Sequence, residues 1–216
     1  MRAAFDEVRR RAARDGLRGR VRVWQRWTGT PYSVAGELLP TAGTILDLGC
    51  GFGMLSGLLA IHAPGRNLVG LDVDGAKIAR ARRLFGDLAR FEQVDFSAPV
   101  VDLPLADAVV TWDVLHHLED PLALLRWARA RLAAGGVLVV KENDTVPLGK
   151  RLVAEAVEVV ALGLEVTASA RVQFRSVAAW TELLEAAGFD VEVARHLPAR
   201  EGFFVPHSVF VARNPR

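Results

Sequence analysis

The 216-residue sequence predicts an α/β fold: a three-layer sandwich around a seven-stranded, mostly parallel sheet with an antiparallel last strand. Three observations predict it. From about residue 44 onward, short apolar runs alternate with stretches of helical periodicity. The run "VLVVKEN" (137–143) opens with four consecutive apolar residues, the pattern of a strand covered on both faces. The last two apolar runs are separated by about nine residues, too few for a helical crossover, so they should pair antiparallel.

Taken in order, "TILDLG" (44–49) is a short bounded strand, and "MLSGLLAIHA" (54–63) has helical spacing and stops at Pro64-Gly65. "NLVGLDV" (67–73) is the second strand, and an Ala/Arg helix (74–86) follows it up to a glycine. "ARFEQVDF" (89–96) is the third strand, and 105–115 contains the fourth. The helix at 120–136 has Asp120 as N-cap, Pro121 at its first position and Gly135-Gly136 as its expected end. After the fifth strand (137–143) come an apolar helix (149–164), a second helix (176–189) and two strands, 190–197 and 207–214. Residues 1–40 read as a helical arm or cap, and 41–216 as the main domain.

Composition narrows the function. Half of the residues are apolar, enough for a sizeable core without cross-links. The single cysteine, Cys50, permits no intrachain disulfide, and residues 1–16 lack an apolar leader core, so a reducing cytoplasm is expected. The stretch 152–166 carries Glu155, Glu158 and Glu165, and no transmembrane segment is expected. Residues 1–26 hold nine arginines against Asp6, Glu7 and Asp15, a charge of +6, which leaves −4 on the rest of the chain. Such an arm suits nucleic acid or anionic lipid, or it is a solvated helix face with Val21, Val23, Trp24 and Trp27 packed beneath it. The arm lacks the interleaved aromatics of a single-strand binder, and no nucleic-acid partner is expected.

The chemistry gathers in "ILDLGCGFGMLS" (45–56), where Gly49, Gly51 and Gly53 alternate directly behind Asp47. A dinucleotide fingerprint needs G-x-G-x-x-G, but its third position here is Met54. Asp47 would also repel a pyrophosphate, at about 4 kcal/mol for unit charges about 4 Å apart at an effective dielectric of about 20. No G-K-[ST] follows, so a P-loop is excluded. A ligand bearing an ammonium or sulfonium group reverses the argument.

"DLGCGFG" resembles the first motif of the class I S-adenosylmethionine-dependent methyltransferases of small-molecule type, and the resemblance continues in order. "GLDVD" (70–74), "QVDF" (93–96), "VVTWDVLHHLEDP" (109–121), "RLAAGGVLVV" (131–140) and "LLEAAGFDVE" (183–192) match successive segments of that family over about residues 40–214. The resemblance implies a Rossmann-like fold, S-adenosylmethionine as cofactor and S-adenosylhomocysteine as product. It implies that Gly49, Cys50, Gly51 and Gly53 form the loop on which the cofactor lies, and that Asp47 orients its ammonium. Asp72, with Val73, would take the ribose diol, and Asp95, with Phe96, the adenine amino group. Thr111 and Trp112 would floor the sulfonium end, although Trp112 also suits core filling.

A hydroxyl acceptor needs a base, which draws attention to His116 and His117 after the fourth strand and to His207 at the start of the last. Each has a packing or capping alternative. Lys141, Glu142 and Asp144 end the fifth strand, where the two acids bind a polar acceptor or simply bond a loop. Asp113 and Asp144 match no metal motif, and no metal is assigned. Tyr32, Arg171 and Arg175 are candidate substrate contacts, and the apolar helix 151–164 is a lid, a dimer face or plain packing, so a homodimer is one expected assembly. The expected function is methyl transfer to the oxygen or carbon of a small apolar or aromatic metabolite. A catalytically inactive cofactor-binding accessory protein is the alternative.

Overall fold

A computed structural model describes residues 1–29, 31–97, 103–144, 173–197 and 207–215. The expected helix 149–164 and Arg171 lie outside the described residues. Helices α1 (Arg2–Ala12), α2 (Gly16–Gly29) and α3 (Tyr32–Leu38) precede β1 (Ala42–Leu48). Then come α4 (Met54–His62), β2 (Gly65–Asp72), α5 (Gly75–Phe85), β3 (Arg90–Gln93) and β4 (Ala106–Trp112). A 3₁₀ turn (Leu115–His117), α6 (Pro121–Arg131), β5 (Leu132–Asn143), α7 (Val177–Ala186), β6 (Asp190–His196) and β7 (His207–Arg213) complete the described elements.

The strands form one seven-stranded sheet in the order β3-β2-β1-β4-β5-β7-β6. β1 to β5 are parallel, and β7 runs antiparallel between β5 and β6, as the short final loop requires. Strand order reverses between β1 and β4, so their carboxyl ends open a crevice.

Side-chain alternation sorts the core onto two faces. Leu46, Leu48, Val109, Leu138 and Val140 pack with Leu124 and Leu125 of α6 and Trp180 and Leu184 of α7. Ile45, Leu68, Ala108, Val110 and Val139 pack on the other face with Ala35 of α3 and Leu55 and Leu59 of α4. Ala4, Val8 and Ala12 of α1 join Leu58, Ile78, Leu84 and Phe85, which seats α1 on α4 and α5.

Three expectations change. The helix expected over 120–136 stops at Arg131, and Gly135-Gly136 belong to β5. Their function is a bulge: the register jumps from Ala106↔Leu132 to Ala108↔Val137, and Gly135 turns through φ +73°. The third strand is shorter than 89–96, because Asp95 folds back to accept from Ser97 N and Oγ at 2.9 and 2.7 Å. On α2, Val23 is buried as expected, but Trp24 is 67% exposed.

Arg66, at the start of β2, joins these layers. Its guanidinium donates to the carbonyls of Pro40, Leu59, Gly36 and Leu39 at 2.7–3.3 Å, around the ends of α3 and α4, with Leu59 O also accepting from Ala63 N. Arg66→Met keeps the aliphatic bulk and strands buried acceptors. We expect a loss of about 3 kcal/mol, read by thermal melting as a fall of roughly 6–12 °C for a domain of this size.

Candidate active site

The glycine loop begins where two backbone amides meet one carbonyl. Gly49 N and Cys50 N both donate to Leu71 O, at 2.8 and 3.0 Å, which turns the chain off the end of β1 at once. Gly49, Gly51 and Gly53 all have positive φ, at +73°, +55° and +74°. Their reasons for being glycine differ. A Cβ on Gly49 would lie 2.5 Å from Val114, and one on Gly53 2.7 Å from the Phe91 ring. A Cβ on Gly51 would meet nothing within 4 Å, so the loop is open at this position.

The loop walls a cavity of about 300 Å³ at the crevice between β1 and β4. Asp47, Gly49, Cys50, Gly51, Asp72 and Val73 line it, with Phe96 and Ser97 from the β3 side, Trp112, Asp113, Val114 and His117 from the β4 side, and Tyr32 from α3. Val73 is 56% exposed here, an apolar side chain offered to a ligand. The Tyr32 and Trp112 rings lie 6.3 Å apart.

The two loop carboxylates differ. Asp72 holds the loop, accepting from Gly51 N at 2.8 Å through Oδ2 and from Asp74 N at 2.9 Å through Oδ1. Asp47 is buried and accepts from Ser56 Oγ at 2.6 Å. Burial raises its pKa to about 7; the Ser56 hydroxyl opposes that shift and the nearby Asp72 charge adds to it. Burial, reinforced by the Asp47 and Asp72 charges, also pushes the Cys50 thiol up, which leaves it inert as a nucleophile.

The remaining expected site residues divide into those at the cavity and those in its frame. His117 lines the cavity. His116 does not; it is fully buried with its Nδ1 against Glu142 Oε2. Glu142 also accepts from Val114 N and Leu115 N at 3.1 and 2.7 Å, so its described bonds are to the β4–α6 loop rather than to a substrate. Thr111 is buried within the sheet. Asp95 is exposed, engaged with Ser97 and outside the cavity lining. Asp144 meets Ser208 Oγ at 3.1 Å and His196 Nδ1 at 2.7 Å. Arg175 donates to Gln173 Oε1 and lies 5.5 Å above the Trp180 ring. His207 is buried beside Asn143.

Asp113 and Lys141, which carry no distinctive sequence motif, also belong to the site. Asp113 lines the cavity and is the single described non-glycine residue with positive φ, at +59°. Its N–H donates to Lys141 O at 3.0 Å, and its carboxylate pairs with the fully buried Lys141 ammonium. Lys141 Nζ also donates to Asn143 Oδ1 at 3.3 Å. A lysine can only donate, which fixes the amide oxygen on that side; His207 Nδ1, 2.9 Å away, therefore donates to it too. The readable signal was a lone lysine inside an apolar strand, facing an aspartate at the end of the neighbouring one.

A methyltransferase-domain profile matches residues 17–193, most of the chain. The chain belongs to the class I S-adenosylmethionine-dependent methyltransferases. Among curated relatives of this methyltransferase chain, the trans-aconitate 2-methyltransferase of Methylobacterium nodulans is 34% identical over 166 residues, covering 73% of this chain and 61% of that protein. The ubiquinone biosynthesis O-methyltransferase of Xanthomonas campestris pv. campestris (strain B100) is 31% identical over 136 residues, covering 60% and 55%. The match therefore spans about three fifths or less of these relatives' lengths. Human N-acetylserotonin methyltransferase, solved with its cofactor, shares the fold at a TM-score of 0.65 and 20% identity, covering 100% of this chain and 57% of that one. The [4+2]-cyclase SpnF does so at 0.67 and 18%, covering 85% and 80%. A cyclase among the fold's neighbours shows why substrate and reaction must be argued from the site.

The Asp113–Lys141 pair gives a stability prediction. Asparagine tolerates the left-handed backbone, so Asp113→Asn removes charge with little change of shape. Asp113→Asn and Lys141→Met should each cost about 3–5 kcal/mol by leaving the partner buried and unpaired, and the double variant clearly less than their sum. Urea denaturation of the four proteins measures the coupling.

Proposed function

We infer that this chain binds S-adenosylmethionine in the cavity and methylates a small hydroxylated acceptor, on oxygen in the simplest case. One observation carries the cofactor reading: the loop is sterically open at Gly51, directly beside the Asp72 carboxylate. Charge supports it. The described wall carries Asp47, Asp72 and Asp120 against Lys77, besides Asp113, which is paired with Lys141, a surface that favours a cationic sulfonium. The same wall disfavours a polyanionic acceptor such as the trans-aconitate named for one relative, and suits a neutral hydroxylated ring of the kind a ubiquinone-pathway O-methyltransferase would take.

When bound, the cofactor supplies an electrophilic methyl group on positively charged sulfur. The chain's task is then to orient and to exclude water. Asp72 has a lone pair left on each oxygen for a ribose diol, and Val73 and Phe96 flank the space for an adenine ring. Asp47 and Asp113 offer acceptors to an ammonium. His117 stands at the wall as an imidazole that can take an acceptor's hydroxyl proton, and Tyr32 as a phenol that can hydrogen-bond the acceptor.

Calorimetry with S-adenosylmethionine, S-adenosylhomocysteine and NAD tests the reading: the first two bind and NAD does not. Gly51→Ala should cost only about 1–2 kcal/mol of stability through its left-handed backbone, yet weaken cofactor binding about tenfold or more, because its methyl group enters the open space. Binding unchanged by Gly51→Ala would remove the proposed ligand position. Turnover is then screened by S-adenosylhomocysteine release with hydroxylated aromatic acceptors. Cofactor binding without turnover of any acceptor would favour the accessory-protein reading.

Asp47 adds a pH dependence. Its folded pKa, about 7, stands above its ordinary value of 3.8. The free protein therefore holds a proton on Asp47 below about pH 7 that the unfolded chain has already lost, and the burial cost of the carboxylate grows as pH rises from about 4 to 7. A bound ammonium or sulfonium favours the ionised form. Affinity should rise with pH through about 7 and proton release should accompany binding below it, both measurable by calorimetry in buffers of different ionisation enthalpy. Asp47→Asn should abolish this dependence.

A further inference from the structure

The geometry points to α2 as a docking helix for an anionic lipid bilayer. From Gly16 to Gly36 the chain has no acidic residue, and α2 carries Arg18, Arg20, Arg22 and Arg26 within fourteen residues. Two of the three acids that precede it are engaged elsewhere. Glu7 pairs with Arg10 and Arg11, and Asp15 with Arg80 and Arg83 of α5. Asp15 thus pairs with α5 rather than with α2, and Arg20 of α2 is exposed.

The helix is also turned with apolar side chains outward. Val23 is buried in the cluster beneath α1, while Leu17 and Trp24 are 75% and 67% exposed. They are seven residues apart, two helical turns, and so share one face, with the exposed Arg20 between them. A leucine and a tryptophan set among arginines is the composition of a helix that lies in the headgroup layer: the rings and methyl groups enter the acyl boundary, and the guanidinium groups meet lipid phosphates. A second copy of the chain would bring four arginines against four. Single-stranded nucleic acid would use the arginines and Trp24 but would leave Leu17 in water. The bilayer is the occupant that uses all three.

Position gives the helix a purpose. Three residues after α2 ends at Gly29, Tyr32 lines the cavity. A membrane held by α2 would lie beside the active-site wall.

Co-sedimentation with vesicles of phosphatidylcholine alone, or mixed with phosphatidylglycerol, tests this on the intact chain. Wild type should bind the anionic vesicles at least about tenfold better than the neutral ones, with the advantage shrinking at high salt. Leu17→Ala/Trp24→Ala should lose about tenfold in anionic-vesicle binding, with an unchanged melting curve since both side chains are exposed. Brominated lipids should quench fluorescence in wild type more than in Trp24→Ala. Equal binding to both vesicle types, equal binding by the double variant, or capture of a single-stranded oligonucleotide with no vesicle binding would each overturn the inference. None of these readouts uses cofactor or turnover, so they stand or fall apart from the methyltransferase reading.

Discussion

The site depends on one carbonyl. Leu71 O accepts from two successive amides, Gly49 and Cys50, and so ends the β1 ladder while holding the loop against the end of β2. One residue later Asp72 takes Gly51 N, so the turn that a ligand would lie on is fastened twice to the neighbouring strand. Gly49 and Gly53 are glycine because Val114 and Phe91 occupy the space a side chain would need, and Gly51 because that space must stay open. Packing sets two of the three glycines, and the function proposed for the loop sets the third.

A second layer of organisation lies at the end of β5, where four polar residues in succession are almost fully buried. Each is bonded outward to a different piece of the structure. Lys141 reaches Asp113 at the cavity, Glu142 pins the β4–α6 loop and His116, Asn143 joins Lys141 to His207, and Asp144 meets Ser208 and His196. Buried polar groups are costly unless paired, and a set paired in this way fixes relative positions more sharply than apolar contacts can. The cavity wall at Asp113 and His117 is held from behind by this row.

Much of this was legible in the residues. Period-two and helical patterns placed every described strand of the sheet, and the nine-residue gap before the last strand gave its direction, because chain length limits connectivity. Asp120-Pro121 correctly marked a helix start. Gly135-Gly136 misled, since glycine with positive φ serves a bulge as well as a helix end, and a single sequence does not tell the two apart. At the site, Asp47 and the glycine loop were readable from spacing, whereas Asp72 and Val73 came only with the family resemblance. Glu142 was read as a substrate contact and His116 as a base because a polar residue at or just after a strand end looks the same whether it faces a ligand or the protein's own loop. Which of the two it meets depends on contacts 26 to 28 residues apart along the chain.

The insertion of β7 between β5 and β6 has a consequence for how the protein is made. β6 has no described sheet partner other than β7, and β5 meets β7 on the side away from β4. During vectorial synthesis, β1 to β5 can assemble as they leave the ribosome, but β6 must wait for a strand that has yet to be translated. Until Arg213 has emerged, β5 is an open edge of consecutive apolar residues. Until β7 is made the nascent chain therefore carries an open apolar edge, and a chaperone would act there.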